Sequence, residues 1–218
     1  MKQKVIAIDG PSASGKGTVA ARVAQALAWQ YLDSGALYRL TALYAKQQGV
    51  EWDDEAALAS LASALPVVFT ETAIELNGQD VSQEIRSENI GMGASAIARL
   101  PALRAALLQR QRDFLSETGL VADGRDMGAV VFPQAQLKIF LTASAQIRAE
   151  RRAKQLGLAC EGIEFERILA DIEARDENDR RRAVAPLQQL PDAYLLDTSD
   201  LTIEEAVKKV LDWYEKSL

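Results

Sequence analysis

Residues 5–18 read VIAIDGPSASGKGT, and this stretch decides how the rest of the chain is interpreted. A run of aliphatic residues leads into a loop of small residues, and apolar side chains then recur at helical spacing at Val19, Val23 and Leu27. The order of strand, loop and helix is the context that a phosphate-binding loop requires. The stretch therefore predicts a phosphate site between the first strand and the first helix.

The composition of the loop fits phosphate binding. Gly10 and Gly15 allow the backbone to curl tightly, so that successive N–H groups point at an anion, and the helix adds its positive end. Lys16 would reach the β- and γ-phosphates, and the Thr18 hydroxyl would ligate Mg²⁺. The strict motif has Ser or Thr directly after Lys, whereas here Gly17 intervenes. A glycine-rich turn without a ligand is the alternative interpretation.

The composition of the whole chain excludes several classes of function. A length of 218 residues allows one sizeable core with small inserts. The net charge of −6 argues against a nucleic-acid or membrane-surface partner, and the absence of histidine argues against His-based acid–base catalysis and zinc. A lone cysteine, Cys160, and no long apolar run favour a cytoplasmic location.

Arginine is over-represented among the basic residues, at 16 of 25, and Arg suits bidentate capture of phosphate. Arg148, Arg151 and Arg152 stand at i, i+3 and i+4 of a predicted helix that Ser144 caps, so they share one face. Acidic groups or a phosphate would have to offset their mutual repulsion.

Five segments read as buried strands separated by helical patterns, which predicts an α/β fold with a parallel sheet. A small antiparallel insert is expected around Asn77-Gly78, followed by a loose polar segment at 87–95 and a helix from Pro101 to Glu117. Ser34 is expected to cap the helix after the second strand. The five strand candidates are 5–9, 31–33, 120–123, 137–142 and 194–197.

Two further stretches carry charge in places where a ligand could use it. Asp123 ends a buried-type strand, and an acid there is either part of a polar turn or a Mg²⁺ ligand through water. The apolar face of the helix beginning at Ile163 continues into Arg175, Asp179 and Arg182. This charged continuation is typical either of a solvated helix end or of a polar pocket, in which Asp179 would order both arginines.

The chain resembles the bacterial cytidylate kinases over essentially its whole length. The resemblance lies in the phosphate loop, in DSGALYR at 33–39, in GRDMG at 124–128, and in the acidic and basic residues from Arg175 to Pro186. It implies a P-loop three-layer fold with a five-stranded parallel sheet flanked by helices. It also implies a core (1–33, 96–147 and 166–218), a monophosphate-binding insert (about 34–95) and a short lid (about 148–165).

The same resemblance assigns residues to a nucleotide site. Base recognition falls mainly to Ser95, Arg104 and Asp126, the ribose to Arg175 and Asp179, and the phosphate to Arg39, Arg125 and Arg182. The complete set matching positions that hold CMP is Ser34, Arg39, Ser95, Arg104, Arg125, Asp126, Arg175, Asp179 and Arg182. The loop residues expected to bind ATP are Gly10, Pro11, Ser12, Ala13, Ser14, Gly15, Lys16, Gly17 and Thr18.

The implied reaction transfers the γ-phosphoryl group of ATP to CMP or dCMP with Mg²⁺, in pyrimidine nucleotide metabolism. Lys16, Arg148, Arg151 and Arg152 would supply alignment and charge stabilisation, and a monomer is expected. The rivals are a different P-loop small-molecule kinase and a non-catalytic ATP-binding regulator. A GTPase would need D-x-x-G and N-K-x-D, and neither occurs in the sequence.

Overall fold

The five strand candidates form one sheet in the computed structural model, which describes residues 2–70 and 73–218. The strand order is β2-β6-β1-β7-β8, with β1 parallel to both β6 and β7, and β7 parallel to β8. The register aligns Ile8 with Asp123 and Ile139, so the carboxyl ends of the central strands lie at one edge. The strands are β1 Gln3–Asp9, β2 Gln30–Asp33, β6 Leu120–Gly124, β7 Ala135–Thr142 and β8 Tyr194–Asp197.

Eight α-helices and a second small sheet accompany these strands in the described part of the chain. The small sheet is antiparallel, and its β4–β5 turn is Asn77-Gly78, where both residues have positive φ. The insert predicted around this dipeptide is thereby confirmed. The small strands are β3 Val67–Phe69, β4 Ile74–Leu76 and β5 Gln79–Asp80. The helices are α1 Lys16–Leu27, α2 Ser34–Gln47, α3 Glu55–Ser63, α4 Glu88–Ile97, α5 Pro101–Arg112, α6 Ala145–Leu156, α7 Ile163–Arg180 and α8 Ile203–Lys216.

The chain divides into two compact units. The first unit is the chain up to Leu32 together with Phe114–Leu218, and the second unit is Asp33–Asp113. The monophosphate-binding insert that the resemblance implies spans about 34–95, so the second unit reaches further along the chain than that insert. The functional division into core, monophosphate-binding subdomain and lid stays a prediction.

The hydrophobic core of the first unit lies between the sheet and two helices. Ile6 and Ile139 are fully or almost fully buried and belong to the same cluster as Val23 of α1 and Val210 and Tyr214 of α8. Each fully buried aliphatic side chain contributes about 1.5–3 kcal/mol relative to an exposed one. The central strand β1, from which the phosphate loop leaves, is therefore anchored in this core.

Three local predictions were wrong. The segment 87–95 is not loose, because α4 runs through it. A Cβ on Gly93 would lie 2.4 Å from the Trp52 ring, so this glycine serves close packing within a helix. The helix from Pro101 ends at Arg112, and the N-cap of α2 is Asp33, which accepts from the Ala36 N–H. Ser34 is the first residue of α2 and is buried.

Candidate active site

The phosphate loop connects β1 to α1, as the sequence predicts. A Cβ on Gly10 would lie 2.0 Å from the Leu141 carbonyl oxygen, so only glycine fits where the loop leaves the sheet. Gly15 has a φ of 88° and immediately precedes α1, so the chain enters the helix through the left-handed region. The first-turn N–H groups of α1 therefore face the loop without intrahelical partners, which suits an anion.

The two residues with assigned chemistry at this helix start are Lys16 and Thr18. Lys16 is half-buried, and its Nζ donates to the Pro11 carbonyl oxygen at 3.2 Å, so the ammonium group curls back over the loop. Thr18 is exposed on the first turn of α1. The carboxylate of Asp123, buried at the end of β6, approaches the same helix start. A Cβ on Gly17 would lie 3.5 Å from its Oδ2.

Arg148 is only 3% exposed, and it is held by protein groups. Its guanidinium forms a bidentate pair with Asp176 of α7, at 3.1 and 2.5 Å, and also donates to the Ala143 and Ser12 carbonyl oxygens. The positive charge of Arg148, a residue of the predicted lid, is thus neutralised by Asp176 within the first unit. Arg148 connects α6, α7 and the loop, and its predicted catalytic contact stays a prediction.

The other two arginines of the α6 face differ from each other. Arg151 donates to the carbonyl oxygens of Ser14 and Thr198 and to the Thr198 hydroxyl, so it also supports the loop. Arg152, half-buried, makes no hydrogen bond or ion pair with any residue that the structure describes. Its guanidinium is therefore the most available of the three to a bound phosphate.

The structure brings three predicted CMP residues together around one carboxylate. Asp179 of α7 is buried, and it accepts from Arg125 Nε at 2.7 Å and from Arg182. Arg125 also donates to the Ser12 hydroxyl at 2.8 Å, which joins this group to the phosphate loop. Charge-assisted bonds of this kind fix guanidinium planes in orientation. The interpretation of the charged helix end as a polar pocket is thereby favoured over a solvated end.

One contact expected within this group is absent. Arg175, four residues before Asp179, makes no hydrogen bond or ion pair with any described residue. The prediction that Asp179 orders Arg175 and Arg182 is therefore wrong for Arg175. The second arginine on Asp179 comes instead from the end of β6, a distant segment that helical spacing cannot reveal.

Asp9 is the residue of this region that the sequence reasoning missed. It ends β1 and is 7% exposed, and its two carboxylate oxygens accept the N–H groups of Met127 and Gly128 at 2.8 and 2.9 Å. Burial raises the pKa of the Asp9 carboxyl to about 6 despite these bonds, and the nearby Asp126 adds to the rise. A signal was present, because a carboxylate at the end of an aliphatic strand requires partners.

Asp126 itself is 5% exposed and immediately precedes a π-helical turn, Met127–Val131. Along the chain it therefore lies between Arg125, which donates to Ser12, and the turn whose first N–H groups Asp9 accepts. A buried carboxylate at the carboxyl end of a parallel strand is where ligands of open α/β sheets bind.

The remaining predicted CMP residues belong to the second unit, and two of them meet at one glycine. Arg39 lies against Gly91, where a Cβ would be 3.2 Å from its Nη1, and Arg39 also donates to the Ile85 carbonyl oxygen. The Ser95 hydroxyl donates to the Gly91 carbonyl oxygen at 3.1 Å. Arg104 donates to a backbone carbonyl oxygen and lies 6.0 Å from the centre of the Tyr38 ring.

Two features are absent from the described residues 2–70 and 73–218. No helix there is both long enough and apolar enough to span a membrane. No three or more Cys, Asp or Glu side chains in the same ranges cluster in a way that could hold a metal ion.

Comparison with known proteins assigns the chain to a family. The sequence profile described as cytidylate kinase matches residues 6–216. A cytidylate kinase of Neisseria meningitidis serogroup A is 73% identical over 215 residues, which cover 99% of each chain. A cytidylate kinase of Chromobacterium violaceum is 62% identical over 216 residues, covering 99% of this chain and 97% of that relative.

A solved structure adds a likeness of fold alone. An uncharacterized protein from Eubacterium ventriosum covers 98% of this chain and 99% of its own, with a TM-score of 0.54 and 10% sequence identity. The family match, in contrast, extends over nearly the whole sequence and includes both the phosphate loop and the arginines around Asp179. The chain therefore belongs to the cytidylate kinase family.

Proposed function

We propose that this protein transfers the γ-phosphoryl group of ATP to CMP or dCMP, which releases ADP and CDP or dCDP. The observation that carries the proposal is the junction at Ser12, a residue of the phosphate loop. Its hydroxyl accepts from Arg125, which Asp179 also holds, so a phosphate loop and an arginine–carboxylate group are in direct contact. A phosphoryl donor and a phosphorylated acceptor need such sites side by side. The name of the relatives points to the same acceptor.

The chemistry requires no general base. The acceptor phosphate is already an oxyanion at neutral pH, so a chain without histidine can perform the transfer. The barrier falls when the reacting groups are aligned and when fixed positive charge stabilises the phosphoryl group in flight. We assign alignment of the donor to the loop and Lys16, and charge stabilisation to Lys16 and Arg152. Arg148 and Arg151 donate to carbonyl groups of the loop, and the proposal keeps both as further contributors to charge stabilisation.

Mg²⁺ is part of the proposal as the partner of ATP. Hydroxyl and carboxylate oxygens are the donors that Mg²⁺ prefers, and the start of α1 offers Thr18, with the carboxylate of Asp123 close to Gly17. When bound, the ion would neutralise charge on the β- and γ-phosphates. These two side chains fit the ion's preference for few protein ligands and several waters.

Recognition of the acceptor is assigned residue by residue. Asp126 would accept from the exocyclic amine of cytosine, which favours CMP over UMP. Asp179 would contact the ribose, and Arg125 and Arg182 the phosphate. The proposal also keeps Arg175 and the four second-unit residues as ligands from the family resemblance: Ser34, Arg39, Ser95 and Arg104. The protein would act as a cytoplasmic monomer on free nucleotides.

A coupled assay of ADP formation tests the proposal. The enzyme is given ATP, Mg²⁺ and one acceptor at a time from CMP, dCMP, UMP and AMP, and the product is identified by chromatography. We expect the highest kcat/KM for CMP and dCMP and almost no ADP without an acceptor. Removal of Mg²⁺ by a chelator should stop the reaction, and added Mg²⁺ should restore it.

Three results would contradict the proposal. ADP formation that is independent of the acceptor would favour an ATPase or a regulator. Turnover with none of the four monophosphates, but with another small molecule, would favour a different P-loop kinase. A preference for AMP would remove the assignment of Asp126 to the cytosine amine.

A further inference from the structure

Asp9 has no role in the function proposed above, and both of its carboxylate oxygens contact the same segment of backbone. Oδ1 accepts the Met127 N–H at 2.8 Å, and Oδ2 accepts the Gly128 N–H at 2.9 Å. Both N–H groups belong to the first residues of the π-helical turn, where a helix provides no internal acceptors. Asp9 therefore binds the start of this turn with both of its oxygens.

The turn that Asp9 holds follows directly after two residues of the proposed CMP site. Arg125 and Asp126 occupy the two positions before Met127, so their backbone is fixed where the turn begins. We propose that Asp9 is a positioning residue for the acceptor nucleotide, which holds Arg125 and Asp126 in register with the phosphate loop. The inference rests on the proposed function and assigns a role to a residue that does not itself touch CMP.

The backbone around Asp9 supports the same role. Gly10, its neighbour in the chain, begins the phosphate loop and donates its N–H to the Gly124 carbonyl oxygen at 3.3 Å. The dipeptide Asp9-Gly10 thus binds the end of β6 before Arg125 and the turn after Asp126. Asp9 and Gly10 consequently hold both the start of the phosphate loop and the backbone on either side of Arg125 and Asp126.

A role in stability alone explains this arrangement less well. The side chain is buried, and the charged groups that act on it are Arg125 and Asp126, which immediately precede the turn. Burying a carboxylate among groups of both signs costs free energy that an apolar residue would avoid. A carboxylate is needed here because only it offers two acceptor oxygens to two adjacent N–H groups.

The test compares Asp9→Asn with the matched variant Asp54→Asn. Asn has one acceptor oxygen and turns an NH₂ donor towards one of the two N–H groups, so the turn loses an anchor. Asp54 also accepts a backbone N–H, from Ala57 at the start of α3, but at an exposed site. We measure kcat, the KM for CMP, the KM for ATP and the thermal midpoint of each protein.

For Asp9→Asn we expect the KM for CMP to rise on the order of tenfold, because one charge-assisted bond is lost. The KM for ATP should change by less than about threefold, since the N–H groups of the loop are untouched. Asp54→Asn should leave both KM values at the wild-type level. A CMP value unchanged in Asp9→Asn, or an equal rise in both KM values, would overturn the inference.

A second variant covers the case in which Asp9→Asn does not fold. Asp9→Glu keeps the charge and both oxygens but displaces them by one methylene, and the same selective rise in the KM for CMP is expected. If neither variant folds, Asp9 maintains the whole unit rather than the turn, and the inference is wrong. Failure of the wild type to phosphorylate CMP would defeat the proposed function first, whereas wild-type activity with no selective effect defeats this inference alone.

Discussion

Replacing Asp9 by Asn should alter how the stability of the protein depends on pH. Burial raises the pKa of this carboxyl from 3.8 to about 6 in the folded protein, so the folded state binds a proton more tightly than the unfolded chain does. Stabilisation by protonation is therefore complete below pH 3.8 and is lost as the pH rises through about 6. The Asn variant cannot titrate at this position and lacks this dependence.

The size of the effect follows from the two pKa values of Asp9. The full shift corresponds to about 3 kcal/mol between its two limits. Between pH 7 and pH 5 only part of it is recovered, because the carboxyl is about nine-tenths protonated at pH 5 in the folded state. The linkage relation gives about 1.3 kcal/mol for that interval. The wild type should thus gain about 1.3 kcal/mol relative to Asp9→Asn on going from pH 7 to pH 5.

Urea unfolding of both proteins at pH 5, 6 and 7, followed by circular dichroism, measures this difference. Ionisable groups remote from Asp9 are common to both proteins, so their contributions cancel in the comparison. Asp80→Asn provides a control without pH dependence in this range: hydrogen bonds from Ser82 lower the pKa of Asp80, so its stabilising effect is lost only at more acidic pH. A difference between wild type and Asp9→Asn that stays constant across these pH values would refute the reasoning.

Three further variants test the site itself. Lys16→Ala should lower kcat by at least about a hundredfold with an unchanged thermal midpoint, because the donor phosphates lose their fixed charge; steady-state kinetics and a melting curve check this. Asp176→Ala removes the ion-pair partner of the buried Arg148 guanidinium and should reduce the free energy of unfolding by about 3–5 kcal/mol. Arg152→Ala should leave the free energy of unfolding unchanged and reduce kcat. Urea titration and rate measurements distinguish the two variants. Asp179→Ala should raise the KM for CMP, whereas the affinity for ATP, measured by calorimetry, should stay nearly unchanged. Asp171→Asn, on the exposed face of α7, is the control. Unaltered CMP kinetics in Asp179→Ala would contradict the assignment of Asp179 to the ribose.

The sequence predicts the sheet and the phosphate loop well because both depend on local pattern. A buried strand, two glycines and a helical repeat lie within residues 5–27, so their geometry needs no distant partner. Asn77-Gly78 is likewise a local signal, and its hairpin is confirmed. The segment 87–95 shows the opposite case. It was predicted to be loose and polar, but α4 runs through it, and Trp52 packs where a side chain at Gly93 would be.

The roles of the arginines could not be separated by sequence. Arg148 and Arg152 stand one turn apart on the same face of α6, and periodicity treats them alike. Packing distinguishes them, since Asp176 of α7 meets Arg148 and no described residue bonds to Arg152. Asp179 likewise takes Arg125 from another segment in place of Arg175. Long-range pairs of this kind depend on how helices dock, which no local spacing specifies.

The support of the loop by α6 has a consequence for protein engineering. The carbonyl oxygens of Ser12 and Ser14 accept hydrogen bonds from Arg148 and Arg151, so the conformation of the loop depends on α6. A loop transplanted into another scaffold without these arginines would carry its glycines and its lysine but lose those donors. A working graft would have to move residues 10–18 and 144–152 together, as one cassette.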